Sequence, residues 1–162
     1  MMDSTPISQF LESTYPDPPV PLTSELGREV EATSRATGAK VFRASVMPRE
    51  INILSPRSQE FFRRTREAAI GHRLEDLLAL GKEDETWNAL GDGLRAASDL
   101  IQTNKADGPF VLGAQPSYTD FFLAGALQCM RTVDEGVFQR YAIYPGQMGV
   151  YNACLPYMEK NN

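Results

Sequence analysis

Histidine occurs once in this chain, as His72, and cysteine twice, as Cys129 and Cys154. A single imidazole excludes a histidine-rich metal centre and a Ser-His-Asp triad of the usual kind, because each depends on that ring. The two cysteines lack CxxC spacing and neighbouring metal ligands, and one pair builds no disulfide framework in 162 residues, so both read as buried free thiols. Long apolar runs are lacking as well. The longest, Phe121 to Leu127, covers seven residues, far below the ~20 that span a bilayer. The N-terminal residues show no basic-then-apolar leader pattern, and a cytoplasmic protein without a membrane partner is expected. Basic charge is in short supply: 16 Lys+Arg stand against 21 Asp+Glu, a net charge of -5, which argues against affinity gained by neutralising phosphates and hence against nucleic acid. Strand-like alternation persists nowhere and no internal repeat is visible, leaving an all-α chain.

What is present is an ordinary globular composition, 42% apolar and 23% charged, in a chain long enough to bury one modest core. Asp3-Ser4-Thr5-Pro6 places capping residues and an early proline ahead of Ile7, Phe10 and Leu11, the pattern of a short helix. Four prolines between Pro16 and Pro21 then enforce an extended linker. Residues 25 to 46 suit helices broken near Gly38. From Arg57 to Leu80 the spacing of Phe62, Ile70, Leu74, Leu77 and Leu78 predicts one long amphipathic helix closed by Gly81. A second follows, with Glu83-Asp84-Glu85 in its first turn and Trp87, Leu90, Leu94, Ala97 and Ile101 on one face, packed antiparallel to the first. Gly91 and Gly93 in it are expected to permit a close helix contact.

Asp107-Gly108-Pro109-Phe110-Val111-Leu112-Gly113 reads as an ordered loop, and Pro116-Ser117-Tyr118-Thr119-Asp120 as a capping box in which Ser117 and Asp120 satisfy each other's backbone N–H groups. The helix it opens is apolar on all sides and is expected to be central, which makes Asp120 a folding residue rather than a chemical one. Pro145-Gly146 and Pro156 divide the tail into two short helices.

The loop Gly108–Gly113 followed by Pro116-Ser117-Tyr118-Thr119-Asp120-Phe121 resembles the signature of the glutathione transferase C-terminal domain. Asp3-Ser4 with Ile7, Phe10, Leu11 and Tyr15-Pro16 is similar to the acid-serine pair and last helix of the thioredoxin-like domain in the same family. Phe61-Phe62-Arg63-Arg64-Thr65-Arg66-Glu67 further resembles fungal members of the etherase-like and secondary-metabolism kind. The resemblance implies a remnant of the thioredoxin-like domain over residues 1–21 and a helical domain over residues 22–162. It implies that Asp3 and Ser4 hold the γ-glutamyl end of glutathione; capping of the helix is the equally weighted alternative. Phe62 and Arg66 are candidates for the wall of an electrophile pocket, with an interfacial ion pair the competing role for Arg66.

In the family the catalytic Ser, Cys or Tyr and a cis-proline loop stand near the start of the thioredoxin-like domain, which would lie upstream of Met1. No residue matches that motif; Ser4, Ser8, Tyr15, Cys129 and Cys154 do not, and no catalytic residue is assigned. The resemblance therefore implies a shortened glutathione transferase that is catalytically incomplete. Its partners would be glutathione as cosubstrate and a small hydrophobic electrophile in a full-length form, with a homodimer left open. The alternative is a non-catalytic helical binding or assembly module.

Overall fold

The computed structural model describes residues 4–22, 24–79 and 81–159. Among the described residues eight α-helices succeed one another: α1 (Ser4–Thr14), α2 (Glu25–Val41), α3 (Met47–Glu50), α4 (Pro56–Ile70), α5 (Lys82–Ile101), α6 (Tyr118–Val133), α7 (Glu135–Gln139) and α8 (Pro145–Met158). Short 3-10 turns link several of them, and a π-helical stretch, Phe42–Val46, joins α2 to α3. The described residues hold no strand; Phe110 and Gly113 form one isolated bridge within the loop before α6.

Four helices make the bundle. α2 packs on α5, α5 on α8, α8 on α6 and α6 back on α2, so the contacts close into a ring. Trp87, Leu90, Leu94, Ala97 and Ile101, the apolar stripe read in α5, are all buried in it. Gly93 is the close approach between α5 and α2: a Cβ there would stand 3.0 Å from the Thr37 methyl. A tighter one joins α5 to α8, where a Cβ on Gly146 would meet the Ser98 carbonyl oxygen at 2.2 Å.

The segment between α2 and α5 departs from the expected single helix. α4 ends at Ile70 because Gly71 takes a left-handed conformation (φ 79°) and returns its N–H to the Glu67 carbonyl at 2.8 Å, the αL termination that glycine permits without steric cost. Leu74–Leu78 then forms a separate 3-10 turn, and Gly81 (φ 86°) stands at the start of α5 instead of closing α4. α4 buries none of its side chains, so α5 takes α2 and α8 as its main partners. Arg63 ties α4 to the turn that follows by ion pairs to Glu67 and Glu75, both at 2.7 Å.

α2 runs through Gly38 rather than breaking there. A mid-helix glycine costs roughly 1 kcal/mol, which packing against α5 and α6 offsets. The π stretch turns Ser45 inward, where its hydroxyl receives the Trp87 indole N–H at 2.9 Å. Arg49 then clamps α3 to Glu83 and Asp134.

α6 opens as expected on the capping box of Ser117 and Asp120, both buried. Its Phe121–Leu127 run is not apolar-surrounded throughout, however: Leu123, Ala124 and Leu127 are buried while Gly125 and Ala126 are exposed. The tail forms α7, a 3-10 turn at Arg140–Ile143 and one α8 that contains Pro156 near its end. Pro156 does not split the helix there.

Candidate ligand cavity between α2, α5, α6 and α8

The start of α6 lies against α2, with the Thr119 hydroxyl donating to the Glu31 carboxylate at 2.8 Å, and residues of both helices with Leu94 of α5 line a hollow. The hollow measures about 600 Å³, inside the ~300–1,000 Å³ usual for small-molecule sites. Phe42, Leu94, Leu123, Leu127 and Met130 supply most of its apolar wall, and Tyr141 and Gln147 reach it from the far side. Within this lining the Arg35 guanidinium lies over the Phe122 ring, 4.2 Å from its centroid, a cation–π contact.

Phe122 also lines a second cleft, of about 590 Å³, between α1 and α6. Ser4 belongs to this cleft. Its hydroxyl and the Tyr118 hydroxyl are hydrogen-bonded at 2.9 Å, linking the start of α1 to the start of α6. The linker is held in parallel: Tyr118 donates its backbone N–H to Pro21, and Val20 donates to the Glu12 carboxylate. Asp3, the other half of the acid-serine pair, lies outside the described residues. α1 itself has no buried residue, and Ile7, Phe10, Leu11 and Tyr15 are exposed.

Phe62 and Arg66 come together, since the Arg66 guanidinium sits 5.2 Å from the Phe62 centroid one turn away on α4. Neither lines either hollow. Arg66 instead acts on Glu50: burial raises the Glu50 carboxyl above its ordinary value, and the Arg66 charge opposes that rise. The family resemblance made these two candidates for a pocket wall; the larger hollow is lined by α2 and α6.

The two thiols differ in burial. Cys154 is buried as expected, but Cys129 is exposed and lines the larger cavity. Neither is activated. Burial pushes Cys154 up to about 11, with the Asp120 charge adding to it, and Cys129 is raised by burial and then by Glu50. A thiol shifted in that direction holds less thiolate at neutral pH and is a poorer nucleophile.

Gln147, Tyr141 and Arg35 escaped the sequence reading. α8 is too uniformly apolar to show a face, so nothing marked Gln147. The α6 positions Phe122, Ala126, Cys129 and Met130 follow helical spacing and would have been the usable signal.

An apolar hollow walled by bundle helices, next to a cleft that opens on a serine at a helix start, marks an all-helical domain with a candidate small-molecule site. Its family is shown by the sequence: residues 28–142 match the model of the glutathione S-transferase C-terminal domain, and the chain belongs to that family. A glutathione S-transferase-like protein of Aspergillus flavus, ustS, is 32% identical over 147 residues, covering 83% of this chain and 51% of its own length. Glutathione transferase GSTFuA3 of Phanerochaete chrysosporium superposes with a TM-score of 0.78 at 27% identity, over 99% of this chain and 66% of that one. CsGST63524 of Ceriporiopsis subvermispora, solved in complex with glutathione, gives 0.79 at 26% identity over 96% and 65%. The chain thus spans about half the length of the curated relative it matches. Among the described residues no helix is long and apolar enough to cross a membrane.

Proposed function

We propose that this chain forms the second-substrate half of a glutathione transferase, with the cavity between α2, α5, α6 and α8 receiving a small hydrophobic electrophile. The observation that carries the proposal is the apolar cavity itself, opening beside the α1–α6 cleft and sharing Phe122 with it. α1 and its proline-rich linker are assigned to a thioredoxin-like portion of the kind found in this family. There Asp3 and Ser4 would meet the γ-glutamyl end of glutathione, and the glutathione thiolate, its proton given up to solvent, would form a C–S bond to an electrophile held at Phe122 as the leaving group departs with the electron pair of the bond that breaks. The similarity to a transferase solved with glutathione bound supports this division. The raised cysteines support it as well, because neither is suited to replace the glutathione thiol.

Calorimetric titration of the 162-residue chain with 2-methoxynaphthalene, an uncharged apolar probe, tests the cavity. Saturable binding is expected. Ala126→Trp, which brings an indole into the cavity from α6, should abolish binding while leaving the melting temperature near that of the wild type. Absence of binding, or binding untouched by Ala126→Trp, would refute the assignment.

A further inference from the structure

We propose that this cavity selects an uncharged apolar molecule bearing a hydrogen-bond donor, a hydroxyl or an N–H, which is received by Gln147 Oε1. The inference rests on the reading of the cavity as the second-substrate site and adds what the site discriminates.

Gln147 is 5% exposed and lines the cavity. Its Nε2 donates to the Leu94 carbonyl at 3.2 Å, which settles the orientation of the amide: the nitrogen is engaged with α5 and the oxygen is the end left over. That oxygen is buried and has no hydrogen-bond partner in the protein. A buried acceptor without a partner costs about 1–3 kcal/mol, and such groups are rare enough in folded proteins that each calls for a reason.

The side chain has no easy retreat from this position. It stands in the first turn of α8 directly after Gly146, whose N–H is bound to the Ser98 hydroxyl at 2.9 Å and whose Cα lies hard against the Ser98 backbone. The backbone of Gln147 is therefore fixed to α5, and the amide is held at the cavity by the same contact. Ser34 supplies a second observation of the same kind. Its hydroxyl oxygen, on the α2 wall, is likewise buried without a partner. Among the described residues these two are the buried side-chain polar atoms left unpaired, and both belong to this one cavity.

The chemistry of the ligand follows from the acceptors. An amide oxygen accepts only, so the group that meets it must donate; the Ser34 hydroxyl accepts or donates and adds no restriction. No carboxylate lines the cavity to meet a cation, and Arg35, its one charged lining residue, is exposed and engaged with Phe122. Thr37 and Tyr141 bring hydroxyls that accept or donate, Cys129 brings a thiol, and the remaining walls are aliphatic and aromatic. A site that pairs a hydroxyl discriminates against the analogue lacking it, because the protein acceptor is then left dry and unpaired.

The test compares 2-naphthol with 2-methoxynaphthalene, the same ring system with and without the donor, by calorimetry on the full chain. Wild type should bind the naphthol about tenfold more tightly, the ratio that one net hydrogen bond of ~1.4 kcal/mol produces. Gln147→Leu and Gln147→Met should bind the two within about twofold of each other and remain folded, the removal of the orphaned oxygen offsetting the lost Nε2 bond to Leu94. Equal affinities in the wild type, as when a buried water satisfies Oε1, would overturn the inference while leaving the cavity assignment standing. A preference that survives in the folded variants would also overturn it. Failure of the wild type to bind either compound would instead refute the cavity assignment, and this inference with it.

Discussion

Asp120 and Val111 are joined by a 2.8 Å hydrogen bond in which the buried carboxylate takes the backbone N–H of a loop residue nine positions earlier. The other carboxylate oxygen accepts from the Ser117 N–H at 2.8 Å and from the Ser117 hydroxyl at 2.6 Å. One side chain thus completes the start of α6 and pins the loop that covers the core, with Val111 fully buried beneath it.

Asp120→Ala leaves the Val111 and Ser117 N–H groups without acceptors in a site closed to water. A loss of about 3 kcal/mol is expected, or roughly 10 °C in melting temperature for a chain of this size. Asp120→Asn should also destabilise, because its amide NH₂ turns a donor toward groups that themselves donate. Thermal unfolding followed by circular dichroism checks both, and an unchanged melting temperature in the alanine variant would remove the folding role.

Two glycines of α8 should respond oppositely to alanine. At Gly146 the new methyl would lie 2.2 Å from the Ser98 carbonyl oxygen, so α5 and α8 must separate, at a cost of about 3 kcal/mol. At Gly149 nothing lies within 4 Å, and alanine should stabilise by about 0.5–1 kcal/mol through helix propensity. Urea unfolding of the two variants gives the comparison; equal effects would mean that α8 is not seated on α5 as described.

The two thiols should react in separate phases with a chromogenic aromatic disulfide. Cys129 alone is exposed, so the native protein should show one reactive thiol that Cys129→Ser removes, with Cys154 appearing only in denaturant. Because the thiolate is the reactive form and Cys129 is raised, its rate should keep climbing with a midpoint above the ordinary 9.0. A midpoint well below that value would mean an activated cysteine and reopen the question of a catalytic thiol.

The exposed face of α1 should drive self-association. Phe10 is 65% exposed on a helix that buries nothing, and Tyr15, directly after its end, is 69% exposed, a larger apolar display than isolated surface residues account for. Sedimentation of the 162-residue chain should show mass rising with concentration, and Phe10→Arg should shift it toward monomer. A wild type that stays strictly monomeric at high concentration would contradict this.

Local signals in the sequence were reliable where the local physics is strong. The stripe from Trp87 to Ile101 repeats at three and four residues, which is what one buried helix face requires, and all five positions are buried. Ser117 and Asp120 stand three apart because the capping box closes over that distance. The long helix expected over residues 57–80 failed at Gly71: the apolar spacing of Leu74 and Leu77 suits a 3-10 turn as well as a helix, and a glycine that ends one helix looks in sequence like a glycine tolerated within it. Gly38 shows the converse, a glycine that looked like a break and is tolerated.

The sequence by itself determined an all-helical chain, the capping box that starts α6, the identity of the α5 core face and the resemblance to the glutathione transferase family, because each is encoded by residues within a few positions of one another. The tertiary structure decided the ring of α2, α5, α8 and α6, the exposure of Cys129 and the arrival of Gln147 beside Leu94, 53 positions earlier in the chain. Those depend on which helix faces meet, and that is settled by the summed burial of distant side chains and by close approaches such as Gly146 on Ser98, which no local spacing records.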